Sequence, residues 1–369
     1  MTTLTDARDK ARAWLFDQAL PLWAERGVDA DGRFHEALHF DGRPITGLAR
    51  RTRVQARQVY VFCEAASLGW TDAEPVARRG LDGLIVTCRR DDGLWRLTTD
   101  DAGRALDERP DLYDQAFVLF ALAAAHRVLG DPRALDLARQ TLAAVDDRMS
   151  EPGGGWSESW PRVLPRRQNP HMHLLEALLA WLEIAPNVAM RARAETVLDL
   201  FHKRFFDPAT GTLGEYFDSG LAVAQGLPGR VVEPGHHFEW VWLLSRARQA
   251  GLPVCESDQP LLETALSRGL DEKGFVVREI DRRAGIIDGG RRLWAQTEGL
   301  RALALVGAEA RFGQLFDGVF ATHLETTVPG LWVDSYDDRG RRADRTVPAS
   351  TFYHLMTAFS ALIRGPAQS

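Results

Sequence analysis

Two histidine–glutamate pairs recur in the sequence with the same spacing. His173 precedes Glu176 by three residues, and His236 precedes Glu239 by three, each pair at the head of a long apolar stretch. Residues three apart share one face of a helix, so each carboxylate can orient its imidazole or bind a hydroxyl group. Histidine exchanges protons near neutral pH because its ordinary pKa is about 6.5. The pattern predicts acid/base catalysis by histidines near the starts of helices. His354 stands at the head of another such apolar stretch.

Other polar and aromatic residues occupy the heads of the same apolar stretches. Aromatic faces stack on sugar rings, whereas arginine, amide and carboxylate groups pair with hydroxyls. This mixture indicates a monosaccharide as the small-molecule ligand. The predicted substrate-binding residues are Arg57, Tyr113, Asn169, His173, Glu176, Glu239, Trp294, Gln296 and Glu298.

Packing and metal binding are the two alternatives for the histidines. A single histidine beside an apolar run is usually a buried, hydrogen-bonded core residue, but three at equivalent heads favour a shared site. Three histidines and a glutamate could bind zinc, yet the close spacings are His-x-His and His-His instead of HExxH. No glycine-rich phosphate loop of the P-loop or dinucleotide type occurs. We therefore predict neither a metal nor another cofactor.

The apolar stretches belong to an internal repeat. A polar head followed by an apolar helical stretch recurs roughly every 60 residues along the chain. Between these stretches lie amphipathic segments whose apolar residues recur at three- and four-residue spacing, as in a helix with one buried face. The matching residues at the six heads are Arg57, Gln115, His173, His236, Thr297 and His354.

Six buried and six amphipathic helices predict an all-α, closed (α/α)6 barrel that forms one domain over residues 1–369. The inner helices run in one direction, so their polar heads meet at one end, where glycine-containing loops with short β-hairpins cover them. An open helical solenoid is the alternative. Closure is favoured because the sixth head is as polar as the others, whereas a terminal cap of a solenoid differs from its inner repeats.

Composition excludes several classes of function. The net charge of −6 gives no reason to expect binding to nucleic acid. The sequence contains no run of about 18 apolar residues, so we predict no membrane span. The segment "MTTLTDARDK" lacks the apolar core of a signal peptide. The three cysteines are far apart, which argues against a disulfide framework. We expect a cytoplasmic monomer or homodimer.

Six motifs together resemble the N-acylglucosamine 2-epimerase superfamily over essentially the whole chain. They are "QARQVY", "DLYDQAFVLFA", "NPHMHLLEALLA", "EPGHHFEWVWLL", "WAQTEGL" and "STFYHL". The resemblance implies an (α/α)6 barrel with His236 and His354 as the catalytic acid/base pair. It implies that His173 contacts the substrate or its ring oxygen. We expect His354 to transfer the C2/C1 proton and His236 to open the ring, although the two roles could be exchanged.

The resemblance also assigns the surrounding residues. It matches Arg57, Tyr113 and Asn169 to sugar-binding positions and Glu239 to the carboxylate beside the catalytic histidine. Trp294 matches an active-site tryptophan. Arg230 is the nearest candidate for an arginine that contacts the sugar in some isomerases of the family.

The segments "HFEW" and "FYHL" resemble the mannose isomerase branch of the family. This resemblance implies metal-independent aldose–ketose isomerisation of D-mannose and D-fructose through a cis-enediol. The alternative is a sugar 2-epimerase that acts on N-acetylglucosamine and N-acetylmannosamine, on cellobiose, or on mannose and glucose. A glycoside hydrolase, which needs two carboxylates, and a non-catalytic binding barrel are further alternatives.

Overall fold

The computed structural model describes residues 2–365, and these form a ring of six inner helices surrounded by outer helices. Each inner helix packs against the next, and the last packs against the first, so the ring is closed. The inner helices are α3 (Thr52–Ser67), α5 (Leu112–Leu129), α7 (Gln168–Ile184), α9 (Pro234–Gln249), α11 (Leu293–Leu305) and α13 (Phe352–Arg364).

The outer layer has one helical segment for each inner helix. Single π-helical turns join the first two helices and extend the segments before the fourth and sixth inner helices. The outer helices are α1 (Leu4–Trp14), α2 (Leu20–Arg26), α4 (Ala73–Cys88), α6 (Ala134–Met149), α8 (Val188–Leu200), α10 (Asp258–Arg268) and α12 (Glu309–Val319). The predicted all-α (α/α)6 barrel is confirmed.

Burial follows the sequence pattern. Most residues of α5 are buried, whereas α4 and α6 bury one face, with apolar residues at three- and four-residue spacing. By length and composition α5 could cross a membrane. Here it is an inner helix that packs between α3 and α7, and a core helix of this kind passes the same test.

Short antiparallel strands connect the loops at the end where the inner helices begin. The strands are β1 (Ala37–Leu38), β2 (Arg50–Arg51), β3 (Thr98–Thr99), β4 (Ala105–Asp107), β5 (Arg166–Arg167), β6 (Phe206–Asp207), β7 (Thr212–Leu213), β8 (Tyr216–Phe217), β9 (Val231–Val232), β10 (Glu279–Asp281), β11 (Ile286–Asp288), β12 (Arg291–Arg292), β13 (Ser335–Tyr336) and β14 (Val347–Pro348).

The pairing of these strands fixes the heads of the inner helices. The strand before an inner helix pairs with the loop of the next repeat, as in β2–β3, β5–β8, β9–β10 and β12–β13. Before α5 a single bridge joins Asp111 to Ser159. The strand β14 pairs with β1, which connects the last repeat to the first. The loops therefore form a second closed ring, and this ring holds the helix heads around one central space.

Candidate active site

The heads of the inner helices surround a cavity of about 190 Å3. All the predicted site residues except Glu176, Gln296 and Glu298 line it. The lining residues are Arg57, Tyr113, Asn169, His173, Glu233, His236, Glu239, Arg292, Trp294, Ser350, Thr351 and His354. The cavity is smaller than the ~300–1,000 Å3 of pockets for drug-sized ligands, as expected for a ligand of monosaccharide size.

Two of the remaining predicted residues lie behind the histidines. The Nδ1 atom of His354 is 2.8 Å from Glu298 Oε1, and that of His173 is 3.0 Å from Glu176 Oε2. A carboxylate only accepts hydrogen bonds, so each imidazole donates from Nδ1–H and keeps its lone pair on Nε2. Glu176 and Glu298 therefore lie behind the histidines and outside the lining of the cavity, and their direct contact with a substrate stays a prediction.

Gln296 lies outside the cavity and connects α11 to the preceding loop. Its amide accepts from the backbone N–H of Val276 and donates to the carbonyl of the same residue, both at 2.8 Å. Gln115 binds Trp95 in the same way in the second repeat. A buried amide that satisfies a loop backbone on both sides has no free group for a sugar, so we propose a structural role for Gln296.

Arg57 contributes a fixed positive charge to the cavity. It donates to the hydroxyl of Tyr113 at 2.7 Å and to the carbonyl of Ser350 at 3.2 Å. Its guanidinium lies 4.0 Å from the ring centroid of Phe117. These partners are uncharged, so the charge of Arg57 remains available to an oxyanion that develops on a ligand.

Trp294 forms the wall between the two predicted catalytic histidines. Its ring centroid lies 5.0 Å from that of His236 and 5.7 Å from that of His354. Gly235 makes room for the indole, since a Cβ atom there would lie 2.7 Å from the Trp294 ring. Both imidazoles therefore lie next to one indole and line the same cavity.

His236 is held by a glutamate from a loop. The Nδ1 atom of His236 is 3.0 Å from Oε2 of Glu215, between β7 and β8, and Gln168 donates to the same oxygen at 3.0 Å. The side-chain amide of Asn169 lies 3.2 Å from His236 Nε2. Among residues 2–365 its Oδ1 has no hydrogen-bond partner, and a turn of the amide lets Oδ1 accept from a protonated imidazole.

The two predicted catalytic histidines differ in proton affinity. Burial by itself would lower the pKa of His236, but the carboxylates of Glu215 and Glu233 outweigh it and raise the pKa to about 10. Burial lowers the pKa of His354 well below its ordinary value, and Arg57 adds to this effect. These shifts favour a protonated His236 and a neutral His354 at neutral pH.

Glu239 is a buried carboxyl group that faces the cavity. Burial raises its pKa well above the ordinary value, and the charges of Glu298 and Glu176 add to this effect. Neither of its oxygens has a hydrogen-bond partner among the described residues. A neutral Glu239 can both donate to and accept from a ligand hydroxyl, which fits its predicted role in substrate binding.

Comparison with known proteins identifies the family. The family model for N-acylglucosamine 2-epimerase matches residues 32–358. The chain belongs to this family. The resemblance predicted from the six motifs is therefore confirmed.

Relatives of this N-acylglucosamine 2-epimerase family member are isomerases and epimerases. A mannose-6-phosphate isomerase of Rhizobium meliloti (strain 1021) is 35% identical over 95% of both chains. A D-mannose isomerase of Thermobifida fusca is 28% identical over 91% of this chain and 89% of that one. The chain is thus a sugar isomerase or epimerase, as predicted.

Solved structures support the fold of this family member. A cellobiose 2-epimerase from Spirochaeta thermophila DSM 6192 superposes with a TM-score of 0.87 at 22% identity, covering 98% of this chain and 96% of that chain. A D-mannose isomerase superposes with a TM-score of 0.82 at 20% identity, covering 98% and 97% of the two chains. Both matches span the whole barrel.

Several residues in and around this cavity are not among those predicted from the sequence. Glu215 and Glu233 flank His236, and Arg292 lines the cavity while it pairs with Asp334 at 3.2 Å. Glu215 lies in the loop stretch "GTLGEYFDSG", where no spacing relates it to a histidine. Arg230, the arginine suggested by the resemblance, lies outside the cavity and pairs with Asp281.

Two clusters of side chains have donor atoms close enough to surround an ion. They are His173 with Glu176 and Glu239, and His236 with Glu215 and Glu233. In both clusters the histidine is hydrogen-bonded to a glutamate at 3.0 Å, so the proximity of these groups needs no metal. Metal independence stays a prediction, and treatment with a chelator tests it.

Replacing Glu215 by glutamine should move the alkaline limb of activity to lower pH. The wild type loses the proton of His236 at a pH of about 10. Without the Glu215 carboxylate the pKa of His236 falls, so the variant loses this proton at a lower pH. In the wild type, the Glu215–His236 pair should contribute fully to the free energy of unfolding below about pH 6.5. This contribution should be lost as pH rises through about 10. Profiles of kcat/KM against pH check the shift.

The control for this prediction is Glu25→Gln, which changes an exposed glutamate. It should leave both limbs of the profile in place. An alkaline limb in Glu215→Gln that coincides with that of the wild type would show that Glu215 does not set the protonation of His236.

Proposed function

We propose that this enzyme interconverts D-mannose and D-fructose by aldose–ketose isomerisation. The observation that carries the proposal is the pair of buried histidines on either side of Trp294, one a proton donor and the other a proton acceptor. The names of two relatives, a D-mannose isomerase and a mannose-6-phosphate isomerase, support mannose as the sugar. We also propose that the enzyme is cytoplasmic, metal-independent, and a monomer or homodimer.

Ring opening is the first step. The protonated imidazole of His236 donates its Nε2 proton to the ring oxygen, while the anomeric hydroxyl loses its proton to a base in the cavity and becomes the C1 aldehyde. Glu215 stabilises the imidazolium before this step, and Asn169 fixes the direction of its Nε2. The open-chain aldose then exposes C2 to the second histidine.

Proton transfer between carbon atoms is the second step. His354 Nε2 takes the proton from C2, and the electrons of that bond form the C1–C2 double bond of a cis-enediolate. The negative charge on oxygen lies in the cavity beside Arg57, whose partners are neutral. The O2 hydroxyl then passes its proton to the neighbouring O1 while the imidazolium returns the carbon-bound proton to C1, and the product is the neutral ketose.

The difference in proton affinity between the histidines favours isomerisation. A 2-epimerase that protonates C2 from the opposite face needs two groups that exchange the roles of acid and base between the forward and reverse reactions. Glu215 holds His236 as a donor, so the pair suits transfer by one base on one face. Epimerisation stays the second candidate because both imidazoles line the same cavity.

The cavity charges favour a sugar without phosphate. Arg57 and Arg292 line it, but Arg292 pairs with Asp334, and Glu233 and Glu239 are also part of the lining. A phosphate group adds a charge of about −1.5 to −2 at pH 7. Arg57 and the protonated His236, which both act on the reacting oxygens in this mechanism, would have to balance that charge.

The test is NMR of D-mannose incubated with the enzyme in D2O, with and without EDTA. Fructose as the main product, with deuterium at C1 and the same rate in EDTA, supports the proposal. Glucose as the main product would establish a 2-epimerase, and loss of activity in EDTA would establish a metal requirement. Parallel incubations with mannose 6-phosphate, N-acetylglucosamine and cellobiose decide the substrate if free mannose gives neither product nor exchange.

A further inference from the structure

An arginine lies in a buried layer beneath the catalytic cavity. Arg301 is 4% exposed, and α11 places it one turn after Glu298 on the same helix face. Its Nη2 atom is 2.7 Å from Glu298 Oε2, and its Nη1 atom is 4.0 Å from Glu176 Oε1. The guanidinium also lies 5.0 Å from the ring centroid of Trp242. Arg301 is therefore fixed between the two carboxylates.

The same two carboxylates hold histidines of the cavity. Glu298 binds Nδ1 of His354, and Glu176 binds Nδ1 of His173. The hydroxyl of Tyr353 also donates to Glu176. Arg301 thus joins two carboxylate–imidazole pairs into one continuous series across the barrel, although it does not line the catalytic cavity itself.

The protonation of Glu298 determines which nitrogen of His354 carries hydrogen. A buried carboxylate without a nearby cation tends to take up a proton, because burial disfavours its charged form. A protonated Glu298 could donate to Nδ1, and the neutral imidazole would then carry its hydrogen on Nε2. An Nε2–H group cannot remove a proton from C2, so His354 works as a base only beside an ionised Glu298.

We propose that Arg301 is a positioning residue that keeps Glu298 ionised and thereby keeps the lone pair of His354 on Nε2, facing the substrate. Burial raises the pKa of Glu298 to about 7, and Arg301 is the leading influence in the opposite direction. Removal of Arg301 should therefore raise the pKa of Glu298 further, so that the neutral form of Glu298 predominates at pH 7. The activity readout rests on the proposed function, whereas the tautomer of His354 is measured without a sugar.

Other charged and titratable groups around Glu298 bear on any change with pH. Glu176 on α7 and Glu239 on α9 favour its neutral form, and His236 on α9 favours its ionised form. From α13 it faces His354 and Tyr353. Arg301 is the cation that contacts Glu298 directly, so its loss should change the protonation of Glu298 more than loss of a more distant group.

The test compares Arg301→Met and Arg301→Lys with the wild type. We expect Arg301→Met to lower kcat/KM at pH 7 by about 10–100-fold, the range found when partners behind metal-bound histidines are removed. The acid limb should move to higher pH, and activity should partly return as pH rises. In 15N NMR of the sugar-free enzyme, hydrogen should move from Nδ1 to Nε2 of His354. Lysine retains the charge and should retain the wild-type tautomer.

The matched control is Arg127→Met. Arg127 pairs with the buried Glu64 at 2.8 Å, away from the histidines, so its loss should reduce stability without moving the acid limb or the tautomer. A wild-type acid limb and tautomer in folded Arg301→Met would overturn the proposal. If that variant does not fold, Arg301→Gln is compared with Arg301→Lys, and equal tautomers in these two variants would overturn it. Failure to convert mannose would instead count against the proposed function.

Discussion

Replacing His354 by glutamine should stop deuterium exchange at C2 of D-mannose and reduce kcat by about 10²–10⁴-fold, the usual contribution of a general base. Burial keeps His354 neutral, and Glu298 orients its lone pair toward the cavity. Glutamine has a similar size but cannot accept and return a proton at neutral pH. NMR in D2O measures exchange and product formation in one experiment, and circular dichroism checks that the variant is folded.

The control for this variant is His39→Gln, because His39 is exposed in a loop. It should keep the wild-type rate and exchange. If His354→Gln kept substantial exchange at C2, another group would be the base, and His173, which also lines the cavity, would be tested next. Exchange without fructose formation would separate proton removal from proton return and would assign His354 to the second of these steps, the return of the proton to C1.

The fold follows from periodicity that is visible in the sequence. The apolar stretches predict buried helices because apolar residues cover most of their surface, and their regular recurrence predicts a ring. The pairing of β14 with β1 could not be read from the sequence, since strands of two residues carry almost no alternation. That pairing nevertheless determines how the loops close above the cavity.

The site was only partly predictable because helix register decides which residue faces inward. The repeat matches Gln115 to Arg57, but Gln115 binds the loop residue Trp95. Its neighbours Tyr113 and Phe117 are four residues apart and share the opposite, inward face. The same register separates Gln296, which binds a loop, from Trp294, which lines the cavity.

Glu215 shows the other limit of sequence reasoning. It is one of many acidic residues in loops, and its contact with His236 depends on strand pairing between β5 and β8. Spacing along the chain does not reveal a partner that lies 21 residues earlier, in the loop before α9. The protonation of His236, and with it the division of roles between the histidines, therefore came from the structure.

Replacing His236 by glutamine should separate ring opening from proton transfer. The variant lacks the imidazolium that donates to the ring oxygen, so we expect turnover of D-mannose to fall by about 10²–10⁴-fold. A three-carbon aldose such as D-glyceraldehyde cannot close a ring and needs no such donor. Its slower conversion to dihydroxyacetone should change much less, because His354, Glu298 and Arg57 remain in place.

The ratio of the two rates is the quantity to measure, since loss of folded enzyme lowers both equally. His354→Gln should reduce both conversions together, and His236→Gln should reduce chiefly that of mannose. Equal losses in His236→Gln would mean that His236 takes part in carbon proton transfer, as a 2-epimerase requires. The opposite split, with only the three-carbon aldose affected, would exchange the roles assigned to the two histidines.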